Sequence, residues 1–368
     1  MASLSWRCFA YACSAGAASA GVSSLTGATR TGRGFTLLFF SSSLILKRGV
    51  SVGIGLFICF IGLQNAGLAV DSSTLVTITS FTENFNTHGI CALLALVGLF
   101  IMAALYIHHV RGAILLGILA TWIIGMICQV VGIYVPDPAN GFYTLFPTMA
   151  LTDFSKLGMT FGQCFNVDFS NVGIVNFIIV VFSFLFVDIF DTLGTLIGVA
   201  TKADMLDEEG RLPGIKPALM ADAIGTTVGA VMGTSTITTF VESASGVAVG
   251  GRTGLTALTT GILFLASMFF APIFTAIPSF ATAPALMMVG YLMVSTVTEI
   301  RFDEDNMAEA IPAYLAIVAM PLFYSISEGI SMGIISYVVL HVVSGKGKKV
   351  KPLMYVLAVL FVLKYIFL

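Results

Sequence analysis

The feature that most constrains this chain is a series of apolar segments, most of them long enough to cross a lipid bilayer. A spanning helix needs about 20 apolar residues. The segments occur at about 50–70, 89–107, 112–134, 173–200, 218–233, 255–277, 281–299, 310–324, 326–344 and 352–367. Only 10% of the residues are charged, whereas soluble domains carry about 25%. We therefore predict an all-α polytopic membrane protein.

Basic residues fall in alternate loops, which predicts how the segments are oriented. They are Lys47, Arg48, Arg111, Lys202, Arg211, Lys216, Arg301, Lys346, Lys348, Lys349 and Lys351. The loop at 71–88 contains no Lys or Arg. Loops rich in these residues stay in the cytoplasm. That assignment works only if a shorter, interrupted segment at 236–250 also crosses or nearly crosses, so we expect about 10–11 membrane segments.

Two aspartates lie within one of these segments. Asp188 and Asp191 occur in the run DIFDTLGT, three residues apart, so they share one face of a helix. A carboxylate at membrane depth costs at least about 2.5 kcal/mol on insertion scales, and such residues commonly bind solutes or carry protons. The pair predicts a pocket for a small polar solute. The alternative is that one aspartate only bonds to a hydroxyl or backbone group within the bundle.

A third acid, Glu242, lies in the interrupted segment. β-Branched residues precede it and small residues and glycines follow it, a pattern that favours a broken helix with backbone groups open to a ligand. A re-entrant loop with a purely structural role is the alternative. Glu309 and Glu328 are weaker candidates, because each lies near a predicted interface. Gln64 and Asn65, at the outer end of the first segment, are interpreted as helix-capping residues.

Several classes of function are disfavoured. The formal net charge of −2 argues against nucleic acid as a partner. The six cysteines include no C-x-x-C pair, so neither a disulfide framework nor a zinc site is predicted. No Walker loop, dinucleotide fingerprint or H-E-x-x-H motif occurs, and no cofactor is expected. Intramembrane aspartyl proteases need two Asp on different helices, whereas Asp188 and Asp191 lie on one, so we do not predict an enzyme.

The two ends and one loop differ from the regular pattern. Residues 1–48 contain no acid and are rich in Ser and Ala, as in a transit peptide. An altered or truncated start is the interpretation we favour for them. The loop at 135–172 is interpreted as an external cap. The terminal segment, 345–368, consists of a basic loop and an apolar tail.

Five motifs in the chain resemble those of one transporter family. The runs DIFDTLGT, TTFVESASG, GGRTGLT, SVGIGLFICFIGLQNAG and EAIPAYL are similar to those of the AzgA-like purine permeases, in the nucleobase–ascorbate transporter superfamily. The resemblance extends from about Lys47 to Leu368. It implies a fold of two inverted seven-helix repeats in which a core domain slides past a gate domain. It also implies symport of hypoxanthine, adenine and guanine with protons.

The resemblance implies a division of the chain as well. Residues 49–134 would be gate-domain helices of the first repeat, 173–277 a core domain with its broken helix at 236–250, and 278–344 gate-domain helices of the second repeat. The family's first four helices have no counterpart, so we expect the sequence to be incomplete, or its product to be inactive by itself. The expected environment is lipid, and the expected location is the plasma membrane. A homodimer is compatible with such a fold.

Individual residues match the acids to which the family assigns roles. Asp191 and Glu242 match the acids that hold the base, and Asp188 lies close to the first of them. The expected substrate-binding set is completed by three neighbours of Glu242, namely Phe240, Val241 and Ser243. Protons would be carried by Glu242, Asp191 and, on a less secure match, Glu309. A xanthine or uracil transporter of the same superfamily and an inactive truncated membrane protein are the alternatives.

Overall fold

The computed structural model describes residues 44–368 except 74, 83–84, 148–149, 151, 153, 155–156, 166–173, 208–211 and 368. Helices dominate this part of the chain. The longer ones are α1 (Leu44–Asn65), α2 (Ile90–Ile107), α3 (Ala113–Val131), α4 (Ile174–Lys202), α5 (Ile215–Met232), α7 (Gly254–Phe269), α8 (Ser279–Val294), α9 (Met307–Leu322), α10 (Ile326–Val343) and α11 (Pro352–Phe367). A six-residue helix, α6 (Ser243–Ala248), lies between α5 and α7.

The helices coincide with the predicted apolar segments. Within the described residues, five stretches are long and apolar enough to span a bilayer: Leu44–Asn65, Phe85–Ile107, Ala113–Val131, Ser279–Glu299 and Ile326–Val343. Helices suit this environment because each satisfies its own backbone hydrogen bonds without water. The predicted helical membrane fold is therefore confirmed. The arrangement in two inverted repeats and the division into gate and core stay predictions.

The first helix begins earlier than the sequence pattern indicated. Leu44 is its first described residue, so Lys47 and Arg48 lie within the helix rather than before it. The Lys47 side chain is buried. Arg48 forms an ion pair with Glu299, with 2.7 Å between Nη2 and Oε2. The ion pair of Arg48 explains how this basic residue fits inside an apolar helix.

A glycine, and not a polar side chain, ends α1. Gly67 adopts a φ of +69°, and its N–H donates to the Gln64 carbonyl at 2.9 Å. The Leu68 N–H donates to the Leu63 carbonyl at 3.0 Å. These two bonds form a Schellman turn, in which glycine readily takes the left-handed conformation. The interpretation of Gln64 and Asn65 as capping residues was therefore wrong.

A β-hairpin that the sequence did not predict follows α1. Strand β1 (Ala69–Ser72) pairs antiparallel with β2 (Leu75–Ile78), and Val70 lies opposite Thr77. Valine, isoleucine and threonine favour extended backbone, and the strands are only four residues long. The sequence pattern indicated a loop at 71–88 and placed residues 69–70 in the first apolar segment.

The chain forms two compact units, and the first contains α4 and α5. It consists of the chain up to Ile54, Phe154–Ser243 and Ser295–Leu368. Within it, α10 packs against α9, α11 and α4. A Cβ added at Gly194 would lie 3.1 Å from Ile330 and 3.2 Å from Ile326. A side chain at this position would crowd two isoleucines of α10, so Gly194 allows α4 and α10 to pack closely.

The second unit consists of Gly55–Asp153 and Ala244–Val294. Helices α2, α3 and α8 pack against one another. Their contact is lined by small and aromatic side chains, including Ala92, Ala95, Trp122 and Phe280, all of them buried. Small residues allow membrane helices to approach closely, where packing replaces the hydrophobic effect as the main stabilising force.

Candidate functional site

The predicted aspartate pair lies on α4. Asp188 is only 7% exposed and accepts a hydrogen bond from the hydroxyl of Thr236. Asp191, one turn further along, is half-buried and interacts electrostatically with Asp188. The two carboxyl groups therefore act on one another, as their spacing predicted. The hydrogen bond from Thr236 fits the alternative in which one aspartate only bonds to a hydroxyl group within the bundle. That alternative does not account for Asp191.

A third aspartate, on α5, joins this pair. Asp222 is half-buried, and its Oδ2 lies 3.1 Å from the Thr192 hydroxyl, which donates to it. Asp222 interacts electrostatically with both Asp188 and Asp191. We refer to Asp188, Asp191 and Asp222 as the aspartate cluster. It belongs entirely to the first unit.

The segment between α5 and α6 supplies hydroxyl groups to the cluster. Residues 234–240 run without helical structure, because Gly233 ends α5 with a φ of +83° and β-branched residues follow. Thr226 of α5 fixes this segment through Ile237, accepting from its N–H at 3.1 Å and donating to its carbonyl at 2.8 Å. Thr236 then reaches Asp188, while the hydroxyl of Thr238 lies 2.9 Å from that of Thr192.

Not every hydroxyl near the pair takes part in the cluster. The Thr195 hydroxyl donates to backbone carbonyls of its own helix, at 3.0 Å to Asp191 and 3.1 Å to Thr192. Thr195 is buried, and this bond satisfies its hydroxyl in an apolar environment. The hydroxyl groups connected to the aspartate cluster are therefore those of Thr192, Thr236 and Thr238, and not that of Thr195.

Glu242 lies where the predicted interruption is. It follows Thr238 by four residues and directly precedes α6, a helix too short to span a membrane. The side chains of Phe240, Glu242 and Ser243 are exposed, whereas Val241 is buried. The Ser243 N–H donates to the Phe240 carbonyl at 3.2 Å, closing a turn at this point. Residues 234–240 are not helical and α6 is short, as the predicted broken helix requires. Its place in a core domain and the roles of these four residues stay predictions.

The two weaker candidates lie elsewhere. Glu309 is in the first turn of α9, half-buried, and forms no hydrogen bond or ion pair with another described residue. Glu328, in the first turn of α10, pairs with Lys364 of α11 and accepts a hydrogen bond from Tyr365. Its contacts give Glu328 a structural partner. Neither acid is hydrogen-bonded to the aspartate cluster.

No cation balances the aspartate cluster within the described part of the chain. None of its three carboxyl groups forms an ion pair with a described lysine or arginine. Like charges in a medium of low dielectric constant repel strongly, and neighbouring carboxyl groups cannot all ionise together. Uptake of a proton by one of the three would relieve this repulsion. The cluster is suited to holding an exchangeable proton.

Metal binding has no support from the described residues. No group of three His, Cys, Asp or Glu side chains among them has an arrangement that could hold a metal ion. The cluster presents carboxyl and hydroxyl oxygens, which accept hydrogen bonds from N–H groups. Its chemistry therefore suits a ligand that carries N–H donors.

Sequence analysis missed Asp222, although a signal was present. The residue interrupts an apolar run, ALMADAIGTTVG, that was already assigned as a membrane segment. An acid inside such a segment is a candidate functional residue on the same grounds as Asp188. Its proximity to α4 could not be predicted, because nothing in the sequence specifies which faces of α4 and α5 meet.

Comparison with known proteins gives a consistent result. The model of the permease family Xan_ur_permease matches residues 44–332. A putative permease of Methanocaldococcus jannaschii is 46% identical over 324 residues, which are 88% of this chain and 69% of that protein. The guanine/hypoxanthine permease PbuG of Bacillus subtilis is 42% identical over 88% of this chain and 68% of its own length. The adenine permease AdeQ of Escherichia coli is 38% identical over 88% and 67%.

The match covers most of the chain and includes α4, α5 and the broken helix. It agrees with the resemblance drawn from the motifs and with the membrane-spanning helices. This chain is a multi-pass membrane protein of the Xan_ur_permease family, which is a family of transporters and not of enzymes.

Proposed function

We propose that the protein imports purine nucleobases, namely hypoxanthine, adenine and guanine, together with protons across the plasma membrane. The observation that carries this proposal is the aspartate cluster, three interacting carboxyl groups without a balancing cation on α4 and α5. The names of relatives that transport guanine, hypoxanthine and adenine support the choice of ligand. A purine has N–H donors on its edge, which carboxylate oxygens accept.

In the proposed mechanism, Asp191 and Glu242 hold the base, and the backbone of 240–243 bonds to its acceptor atoms. Asp188 lies beside Asp191 and keeps its own bond to Thr236. Phe240 is exposed, so its ring is free to stack on a planar base. Val241 is buried and would contribute only backbone groups.

Proton coupling follows from the cost of moving charge through hydrocarbon. An empty cluster with several ionised carboxyl groups is costly at membrane depth, whereas a cluster that has taken up a proton and a base carries less charge and is hydrogen-bonded. Only the loaded form would then cross readily. In the proposed elevator motion, the core domain (173–277) carries the loaded site past the gate helices (49–134 and 278–344).

The test is transport by the purified protein in liposomes that contain a pH-sensitive dye. Adding hypoxanthine outside should acidify the interior and lead to accumulation of the base when the interior is more alkaline. Exchange of Glu242→Gln should abolish both signals, whereas Asp204→Asn, on an exposed loop residue, should leave both unchanged. Accumulation without acidification would contradict proton coupling, and unchanged transport by the Glu242→Gln protein would contradict the assignment of the site.

Competition experiments define the substrate. Unlabelled adenine and guanine should reduce the uptake of labelled hypoxanthine, whereas xanthine and uracil should not. A second candidate, a xanthine or uracil transporter, is favoured by one relative, a putative xanthine/uracil permease of Schizosaccharomyces pombe, 33% identical over 80% of this chain. Stronger competition by xanthine or uracil would select it.

A further inference from the structure

A cavity of about 460 Å³ lies within the second unit and shares no residue with the aspartate cluster. It is bounded by the C-terminal end of α1, the π-helical turn before α2, the loop after α3 and the start of α8. We call it the loop cavity. Ligand sites for small molecules have volumes of about 300–1,000 Å³, so this cavity is large enough for a heterocyclic base.

One wall of the loop cavity is fixed by side chains. The Tyr134 hydroxyl donates to the Tyr143 carbonyl at 2.8 Å, and Trp122 Nε1 donates to the Leu145 carbonyl at 3.0 Å. Gln129 bonds twice, accepting from the Leu145 N–H at 2.8 Å and donating to the Thr144 hydroxyl at 3.0 Å. These bonds hold the loop in one conformation. A wall that is ordered before binding lowers the entropic cost of binding a ligand.

The lining contains polar groups but no permanent charge. Among the described residues that line the cavity, none is Asp, Glu, Lys or Arg. Burial and repulsion by Cys91 raise the pKa of Tyr134 to about 12, so its phenol stays neutral. A lining of this kind neither attracts an anion nor balances a cation. It is suited to a neutral ligand.

Two amide side chains in the lining have no hydrogen-bond partner within the described part of the chain. Gln64 and Asn65 line the cavity, and their amide groups form no hydrogen bond with another described residue. Each amide offers both a donor and an acceptor. Aromatic rings lie nearby, because Phe142 and Tyr143 also line the cavity and His88 meets Phe142 edge-on at 4.7 Å between ring centroids. Free amides beside aromatic faces match a flat molecule that has N–H and C=O or ring-nitrogen groups on its edge.

The orientation predicted from the basic loops places this cavity on the external side. Lys47 and Arg48 lie near the start of α1, so its end at Asn65 faces outwards. The end of α3 and the start of α8 lie at the same side under the same assignment. Under this assignment, a solute in the external medium has access to the loop cavity.

We infer that the loop cavity is a second binding site for an uncharged nucleobase, which captures the base from the external medium. Gln64 and Asn65 bond to its edge, and Phe142 and Tyr143 contact its face. The choice of a nucleobase rests on the function proposed above, whereas the neutral, planar character of the ligand rests on the lining alone. The site is independent of the aspartate cluster, since no residue is shared.

Trp122 provides a direct test, because its indole nitrogen is bonded to the wall of the cavity. The chain has two tryptophans, so the exchange Trp6→Phe leaves Trp122 as the only one. Hypoxanthine is titrated into this protein, and the fluorescence of Trp122 is excited at the red edge of the indole absorption band. We expect a saturable change, and in the Gln64→Ala/Asn65→Ala protein an apparent Kd at least about 10-fold higher. Asn306→Ala, an amide outside the cavity, is the matched control.

The outcomes separate this inference from the proposed function. A Trp122 response that persists in the Asp191→Asn protein, while uptake is lost, supports the loop cavity as a site of its own. Absence of a response, or a response that the double exchange leaves unchanged in a protein whose thermal unfolding is normal, overturns the inference whatever the uptake. A response that depends on Gln64 and Asn65, with uptake unaffected by Asp191→Asn, supports the loop cavity and overturns the assignment of Asp191. An equal response to urate, which is an anion, would also overturn the inference.

Discussion

The aspartate cluster and the loop cavity are both polar sites in an apolar protein, and they differ in charge. The cluster consists of three interacting carboxyl groups, two of which accept hydrogen bonds from threonine hydroxyls. The cavity has amides and aromatic rings and no Asp, Glu, Lys or Arg among its described lining residues. The cluster offers carboxyl groups, which can accept N–H donors and carry a proton, whereas the cavity offers mainly amide and aromatic groups. The proposed division between capture of the base and proton-coupled transport rests on this difference.

Among the exchanges that compare the two sites, the largest effect is expected from Asp191→Asn. The exchange keeps the size of the side chain but replaces a carboxylate acceptor, and a hydrogen bond to a charged group contributes about 1.5–3 kcal/mol. Uptake of hypoxanthine should therefore fall about 10- to 100-fold, and acidification should disappear. Initial rates in liposomes measure both. The Trp122 response should be unchanged, and its loss would show that the two sites are not independent.

A smaller effect is expected from Asp222→Asn. Asp222 adds charge to the cluster and accepts from Thr192, but it is not assigned to contact the base. Its exchange should lower the number of protons moved per base, while uptake falls by about a factor of ten or less. The ratio of acidification to labelled hypoxanthine measures this. An unchanged ratio would exclude Asp222 from proton coupling, and Asp207→Asn, in the loop between α4 and α5, is the control.

Thr192→Val removes the hydroxyl that links α4 to Asp222 and Thr238. The exchange is nearly isosteric, so packing should be kept while two hydrogen bonds are lost, at about 1–3 kcal/mol of stability. We expect a lower unfolding temperature and uptake reduced several-fold. Thr201→Val is a matched control, since its hydroxyl bonds only to the Ile197 carbonyl of its own helix. Equal effects of the two exchanges would argue that the link has no special role.

The smallest effect should come from Gln129→Leu, which frees the wall of the loop cavity. Two hydrogen bonds to Thr144 and Leu145 are lost, and each contributes about 1 kcal/mol. The affinity of the loop cavity for hypoxanthine, measured through the fluorescence of Trp122, should fall a few-fold. The maximal rate of uptake should be unchanged. Titration by fluorescence and saturation curves of uptake measure the two quantities. A lowered maximal rate would place the cavity within the transport step itself.

Much of the fold was predictable because few backbone conformations can cross a lipid bilayer. Apolar length and the spacing of polar residues were enough to locate the long helices and the short α6, since a backbone in hydrocarbon must satisfy its own hydrogen bonds. The β-hairpin after α1 was not predictable, because four-residue strands leave little pattern. The start of α1 was also misplaced, since the ion pair of Arg48 with Glu299 joins residues that are far apart in sequence.

The candidate site was predictable in part. Asp188 and Asp191 were located because their spacing on one helix is local information. Asp222 was missed because its contact with Thr192 depends on how α4 meets α5. Gln64 and Asn65 were misinterpreted for a similar reason. The turn at Gly67 satisfies the last backbone carbonyls of α1, and neither amide side chain is hydrogen-bonded to another described residue.

The single hydrogen of the Thr192 hydroxyl gives the cluster a directional property. Its oxygen is within bonding distance of both Asp222 and Thr238, but the hydroxyl can donate to only one of them at a time. When Asp222 is ionised, the hydrogen points towards it and Thr238 must donate to Thr192. When Asp222 is protonated, the whole row of hydrogens can reverse. Protonation of Asp222 would thereby change the hydrogen bond of Thr238, four residues before Glu242, through the rotation of hydroxyl groups alone.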